Sequence, residues 1–272
     1  MNFLTLLALV LGLWLMLAVL MTLAWWIEQR SGNSGWVDVV WTSAMGLTGI
    51  VGATAAYSFG DLSNRQLLIV ALVLVWAMRL AGHIARRTTT VSDDPRYAKL
   101  RLQWGTEACR NMFWLLQAQA ALSVPMAVAI VLGAWNPAPL FTATDWIAAI
   151  LFCVGFAGSG LADVQLARFK QSSSSSGRVC NTGLWSWSRH PNYFFEWLIW
   201  VAFALFAINL AGDWTWGYVA LIGPTCMYWL LRFASGVPPL EEHMLAKYGA
   251  AYAGYQQSTS VFFPLPPNNP SR

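Results

Sequence analysis

The chain has 272 residues, 57% of them hydrophobic and only 10% charged, with a formal net charge of +4. A soluble domain of this size exposes far more charge, so lipid is the solvent for most of the surface, and a soluble nucleic-acid-binding class is excluded. Cys109, Cys153, Cys180 and Cys226 are scattered without paired spacing, which excludes a disulfide framework and a zinc knuckle.

In chain order, apolar stretches run from Phe3 to Trp26, Trp36 to Tyr57, Leu67 to Ile84, Met112 to Trp135, Trp146 to Ala167, Tyr193 to Leu210 and Trp214 to Phe233. Each is about 20 residues long, the length of a membrane-crossing helix and twice that of a barrel strand. Backbone polar groups must be satisfied internally in hydrocarbon, so helices are the only solution for such runs. The expected fold is all-α: a polytopic membrane protein of about seven transmembrane helices forming one domain over residues 1–272. The first stretch lacks a basic region before it and a small-residue cleavage site after it, and reads as a retained span. Trp25, Trp26, Trp36, Trp135, Trp214 and Trp216 sit near span ends, where an indole favours the headgroup layer.

Alternating loops place Arg65 alone on one side of the membrane and fourteen lysines and arginines on the other. This asymmetry predicts an outer N-terminus, a cytoplasmic C-terminus and an ion-tight membrane such as the bacterial inner membrane. Two basic loops, 86–111 and 170–191, are longer than connectors need to be, and Ser172 to Ser176 reads as a flexible linker. In the tail, Leu240, Met244, Leu245, Tyr248, Tyr252 and Tyr255 recur near helical spacing, which predicts a helix packed on the bundle or lying in the interface. Glu241, Glu242, His243, Lys247 and Tyr248 need no function in such a helix, but as a wall over a ligand they would supply carboxylates and a ring for stacking. Gly155, Gly158 and Gly160 lie within a span and read as close helix packing rather than a nucleotide-binding loop.

Ionisable residues inside spans are costly, and Asp38, Arg79, His83, Asp163 and Glu196 are therefore candidates for function, with structural ion pairing as the alternative. Arg79, His83 and Arg86 or Arg87 recur at three- to four-residue intervals, a stripe suited to an anion, although Arg79 suits equally well a partner for Asp38 or Glu196. Asp163 and Lys170 are seven residues apart on one face. Arg189, His190, Asn192 and Glu196 crowd a span entry. A helix start with Ser188 or Asn192 as cap and Pro191 in the first turn explains part of that cluster but not all of its charge.

The segment from Asn181 to Glu196, which reads NTGLWSWSRHPNYFFE, resembles the signature of the membrane steroid 5α-reductase family and, more broadly, of membrane sterol reductases and isoprenylcysteine carboxyl methyltransferases. The tail from Leu240 to Gly249, followed by Tyr252, Tyr255 and Phe263-Pro264, is similar to the closing segment of the same superfamily. Val37 to Trp41, Trp76 to His83 and Asp93 to Tyr97 resemble its bacterial members. The resemblance implies NADPH bound from the cytoplasmic side by a 160–264 half, and a hydrophobic enone such as a 3-oxo-4-ene steroid entering from the lipid beside the first four helices of a monomer. It assigns the cofactor to Asp163, Lys170, Asn192 and Glu196, with His83, Arg86, Arg96, Tyr97, Arg178, Arg189, His190, Tyr193, Arg232, Glu242, His243, Tyr248 and Tyr252 around it, and no metal. Catalysis falls to Asp38, Trp76 and Arg79. There the chain departs from the family, for Trp76 stands where a tyrosine is expected and Asp38 where a glutamate is.

Hydride delivery to an enone requires a donor aimed at the carbonyl oxygen. Asp38 meets this if it stays protonated, which a neighbouring Arg79 would oppose. A methyltransferase using S-adenosylmethionine shares the arginine-histidine-proline run, but the basic loops favour the more anionic NADPH. A lipid-binding protein without catalysis is the third reading.

Overall fold

The computed structural model describes residues 1–55, 62–90, 93–172 and 177–268. Ten α-helices follow in order: α1 Phe3–Ser31, α2 Gly35–Thr54, α3 Asn64–Thr88, α4 Pro95–Trp104, α5 Ala108–Trp135, α6 Ala143–Gln171, α7 Pro191–Ala207, α8 Ile222–Trp229, α9 Val237–Tyr248 and α10 Ala250–Ser258. Among the described residues there is no strand, and the chain is an all-α polytopic membrane protein. The end of the second expected span at Tyr57, the serines 173–176 and the last basic residue, Arg272, lie outside the described residues.

Local chemistry sets the helix ends. Asn2 caps α1 by accepting from the Thr5 amide at 2.8 Å, and Gly32, at φ +67°, closes its far end by donating to Glu28 O. Ser63 and Gln66 form a reciprocal capping box at the start of α3. Along α1, Leu13, Leu17, Met21, Ala24 and Glu28 recur every three to four residues as the buried stripe, while Leu4, Leu11, Leu15 and Val19 are exposed. An apolar exterior is what a lipid-facing helix requires.

Among the described residues five helical stretches are long and apolar enough to cross a membrane: Phe3–Ser31, Gly35–Thr54, Asn64–Thr88, Pro95–Trp135 and Ala143–Gln171. The sixth expected span is the shorter apolar helix Pro191–Ala207. The seventh is a succession of a 3-10 segment Thr215–Leu221, α8 and a π-helical segment Leu230–Ala234. Pro224 stands in the first turn of α8, where its missing amide is tolerated at a helix start but would break a continuous one. At Gly217 the backbone lies so close to the Ala207 carbonyl that no Cβ fits.

The chain divides into two compact units, one of Met1–Trp146 with Phe203–Cys226 and one of Ile147–Ala202 with Met227–Arg272. In the first, α2 packs on α1, α3 and α5, and α1 also packs on α5. Gly46, Gly49 and Gly52 along α2 touch Ala77, Ile130 and Val131 closely enough to exclude larger side chains. In the second, α9 packs on α10, and the Phe195 backbone of α7 lies against Gly155 of α6.

Candidate functional site

Each unit contains its own polar centre. In the first, Asp94 caps α4, accepting from the Arg96 amide at 3.0 Å and from Arg96 Nε at 2.9 Å, with Pro95 in the helix's first turn. The Arg96 guanidinium also reaches Asp38 of α2, while Arg87 approaches Asp94 at 3.4 Å. The Tyr97 hydroxyl lies 3.5 Å from Asp38 Oδ1 and accepts from Gln119 Nε2 at 3.1 Å. Arginines and carboxylates therefore alternate from Arg87 through Asp94 and Arg96 to Asp38. Asp38 serves here as an ion-pair acceptor. The cation beside it is Arg96, and the neutral hydroxyl beside it is that of Tyr97. On α3, Trp76 is fully buried, Arg79 and His83 are half-buried and Arg86 is exposed.

In the second unit a 3-10 turn, Gly183–Ser186, is fixed to α6. Leu184 N donates to Gln165 Oε1 at 2.9 Å, and Trp185 Nε1 donates to Ala162 O at 3.0 Å. Gly183 takes φ +60° and lies so near the Gln165 amide that a Cβ would meet it at 2.7 Å, so this close approach requires glycine. The C-terminal segment then runs beside residues 187–189. Arg189 N donates to Ser260 O at 2.8 Å, Ser188 Oγ to Phe262 O at 2.8 Å and Leu265 N to Trp187 O at 3.0 Å. Phe262 is fully buried, its ring within edge-to-face distance of Phe194, Trp197 and Tyr228.

This clasp turns Arg189 and His190 onto Glu241 of α9. Arg189 Nε donates to Glu241 Oε1 at 2.6 Å and Nη2 to Oε2 at 3.2 Å, while Nη1 donates to the carbonyls of Gln256 at 3.0 Å and Thr259 at 2.6 Å. His190 Nε2 is 3.1 Å from Glu241 Oε1, and Gln256 Nε2 donates to Oε2 at 2.9 Å. Burial pushes the Glu241 carboxyl up, but the hydrogen bonds from His190 and Arg189 outweigh it and bring the group down to about 2. For His190, burial comes first and lowers the imidazole, with the Arg189 and Arg232 charges adding to it against the pull of Glu241. The imidazole is thereby pushed toward its neutral form with Nε2 facing the carboxylate, and Nδ1 is buried without a hydrogen-bond partner among the described residues. Burial also raises the Tyr252 and Tyr255 phenols; Tyr255 donates to Trp185 O.

Beside this centre is a hollow of about 360 Å3 lined by Arg189, Arg232, Gln256, Thr259, Ser260 and Asn268, among others. Arg232 is half-buried 4.9 Å from the Phe233 ring and, among the described residues, makes no hydrogen bond or ion pair.

Of the residues assigned to a cofactor by resemblance, Arg189, His190, Arg232 and Tyr252 gather around Glu241 and the hollow. Tyr193 stacks on His190 with ring centroids 5.4 Å apart. Asn192 is half-buried in the first turn of α7, and Glu196 is buried one turn further on. Asp163 is half-buried on α6, whereas Lys170 and Arg178 are exposed. On α9, Glu242 and His243 are exposed, and Tyr248 is half-buried with Lys247 5.1 Å from its ring. The acid at the centre is thus Glu241; Gln256, which donates to it, and Thr259, whose carbonyl accepts from Arg189, are not apparent in the sequence. The tail sequence offers Glu241 and Glu242 alike as carboxylates; Leu240, Met244 and Tyr248 mark the inward face of α9, and Glu241 shares it while Glu242 is exposed.

Residues 24–259 match the family described as "Protein of unknown function (DUF1295)". An uncharacterized protein of Schizosaccharomyces pombe is 30% identical over 279 residues, an alignment covering 90% of this chain and 77% of that one. No solved structure matches the chain. By the extent of the family match, spanning α2 to α10, the chain belongs to the DUF1295 family.

Proposed function

We propose that the protein is an NADPH-dependent oxidoreductase that reduces the carbon–carbon double bond of a hydrophobic enone, a 3-oxo-4-ene steroid being the class implied by the resemblance. The resemblance of the Asn181 to Glu196 segment to the steroid 5α-reductase signature supports this reading. The observation that carries it is the Glu241 centre: Arg189 and His190 are fixed by one carboxylate, and the adjoining hollow presents an arginine with no ion pair among the described residues.

The residues fit a polyanionic dinucleotide. Arg232, with the side-chain amide of Gln257 and the hydroxyls of Thr259 and Ser260 that line the hollow, would hold phosphate oxygens, for which a guanidinium is well suited. His190 would keep Glu241 and Arg189 in place beside the bound molecule, and Tyr193 supports the imidazole from its face. Asp163, Lys170, Asn192 and Glu196 are the further cofactor residues of this proposal. NADPH, when bound, supplies the hydride.

Asp38, Trp76 and Arg79 make up the proposed substrate side. Growing charge on the enone oxygen calls for a donor already in place. Asp38, paired with Arg96, is suited to position that guanidinium and the Tyr97 hydroxyl, and Gln119 fixes Tyr97 from α5. The cofactor side is proposed to face the cytoplasm, where the basic loops gather.

The test is turnover. The full chain in detergent, supplied with NADPH and progesterone or testosterone, is expected to yield a product heavier by one H2. Methyl transfer from S-adenosylmethionine with no reduction of any enone would overturn the proposal.

A further inference from the structure

A groove of about 510 Å3 lies on the other side of the 183–187 turn, lined by Leu161, Gln165, Gly183, Leu184, Trp187 and Pro264. Its shape is fixed. Gln165 holds the Leu184 amide, and Trp185 is buried with its indole bonded to α6, whereas Trp187 is exposed at the groove's edge. On the lower wall Leu161 is exposed, and it continues an outward apolar surface of α6 that includes Ile147, Ile150, Val154 and Val164. The groove therefore opens from a lipid-facing surface.

Depth follows from helix geometry. The 29 residues of α6 span about 43 Å, longer than the hydrocarbon core of about 30 Å, so its basic end stands at headgroup level. Leu161, Gln165 and Arg168 are four and three residues apart and form one stripe. Arg168 is thus about 10 Å above Leu161, at the height of a lipid phosphate. It is exposed and, among the described residues, has no hydrogen bond or ion pair. Lys170 and Arg178 add positive charge, and the sequence contains no Asp or Glu between Val164 and His190.

We propose that this groove is a binding site for an anionic phospholipid, one acyl chain lying along Leu161, Leu184 and Trp187 and the phosphate meeting Arg168. Three observations on one surface carry it: a shaped apolar channel, its continuity with the membrane-facing side of α6, and an acid-free basic rim one lipid-headgroup distance above it. The groove lining and Arg168 are separate from the Glu241 centre and lie outside the residues proposed for the cofactor, whereas Lys170 and Arg178 of the rim are shared with that set.

Native mass spectrometry of the full chain, released from micelles containing equal phosphatidylglycerol and phosphatidylcholine, tests it. Wild type is expected to retain phosphatidylglycerol in preference. Arg168→Gln should reduce that preference about five-fold while leaving total lipid unchanged, the effect of one interfacial arginine. Leu161→Trp, which fills the groove from an already exposed position, should lose both lipids. Arg110→Gln, at an exposed arginine of the other unit, should match wild type. The proposal is overturned if Leu161→Trp retains lipid as wild type does, or if Arg110→Gln lowers the preference as much as Arg168→Gln, since diffuse charge would then be the cause. Should Leu161→Trp fail to fold, the comparison of the two arginine variants still decides.

Discussion

Glu241 accepts hydrogen bonds from Arg189, His190 and Gln256, residues 15 to 52 positions away in the chain. Its carboxyl lies at about 2 rather than the ordinary 4.5. A depressed carboxyl stabilises the folded state fully above about 4.5 and loses that contribution as pH falls toward 2, a loss on the order of 3 kcal/mol. His190 acts in the same direction. Its lowered imidazole makes protonation unfavourable in the folded state, so stability is complete above its ordinary value of 6.5 and declines as pH falls below it. The unfolding free energy, followed by tryptophan fluorescence at a series of pH values, should therefore decline in two stages as pH falls. Glu241→Gln should abolish the lower stage and cost about 3–5 kcal/mol, because the Arg189 charge is left buried; an unchanged acid profile would contradict the anchor. Arg232, by contrast, holds nothing in place, so Arg232→Ala should leave stability within about 0.5 kcal/mol of wild type while weakening NADPH about ten-fold. Calorimetric unfolding and nucleotide titration would check both halves. The tail sequence offers Glu241 and Glu242 alike as carboxylates, and only the phase of α9 decides between them, since they are neighbours about 100° apart on a helix.

Among the helices, α6 and α7 show what spacing alone conveys. Gly155, Gly158 and Gly160 were all read as packing positions. Only the first two, three residues apart, face Phe195; a Cβ at Gly155 would lie 2.7 Å from its carbonyl, and one at Gly158 would enter its ring, while Gly160 has nothing within 4 Å. Gly155→Ala and Gly158→Ala should each cost about 1–3 kcal/mol by overpacking, and Gly160→Ala should be neutral or stabilising by up to about 1 kcal/mol. Thermal midpoints of the three variants would show the order; equal midpoints would contradict the packing described. The five long spans were evident from hydropathy because lipid imposes length and apolarity on every crossing helix. Hydropathy does not distinguish a continuous helix from the 3-10, α and π succession at 215–234, which Gly217 and Pro224 impose through backbone contact and a missing amide.

Across the whole molecule, the interactions missing from the sequence reading join residues far apart along it. Arg65, counted there as the lone basic residue of its side, forms a buried pair with Asp145 at 2.6 Å and donates as well to the Pro139 and Phe206 carbonyls at 3.0 and 3.3 Å. No local pattern links two residues 80 positions apart. Arg65→Ala leaves Asp145 buried without its counter-charge and should cost about 3–5 kcal/mol in the first unit, seen as a lower unfolding midpoint. Asp38 and Arg96, also paired, stand 58 positions apart in the chain. The most direct measurement of the central claim is titration of the detergent-solubilised chain with NADPH, followed by nicotinamide fluorescence. Saturable binding that weakens in Arg232→Ala is the predicted result, and saturable binding of S-adenosylmethionine with none of NADPH would contradict it.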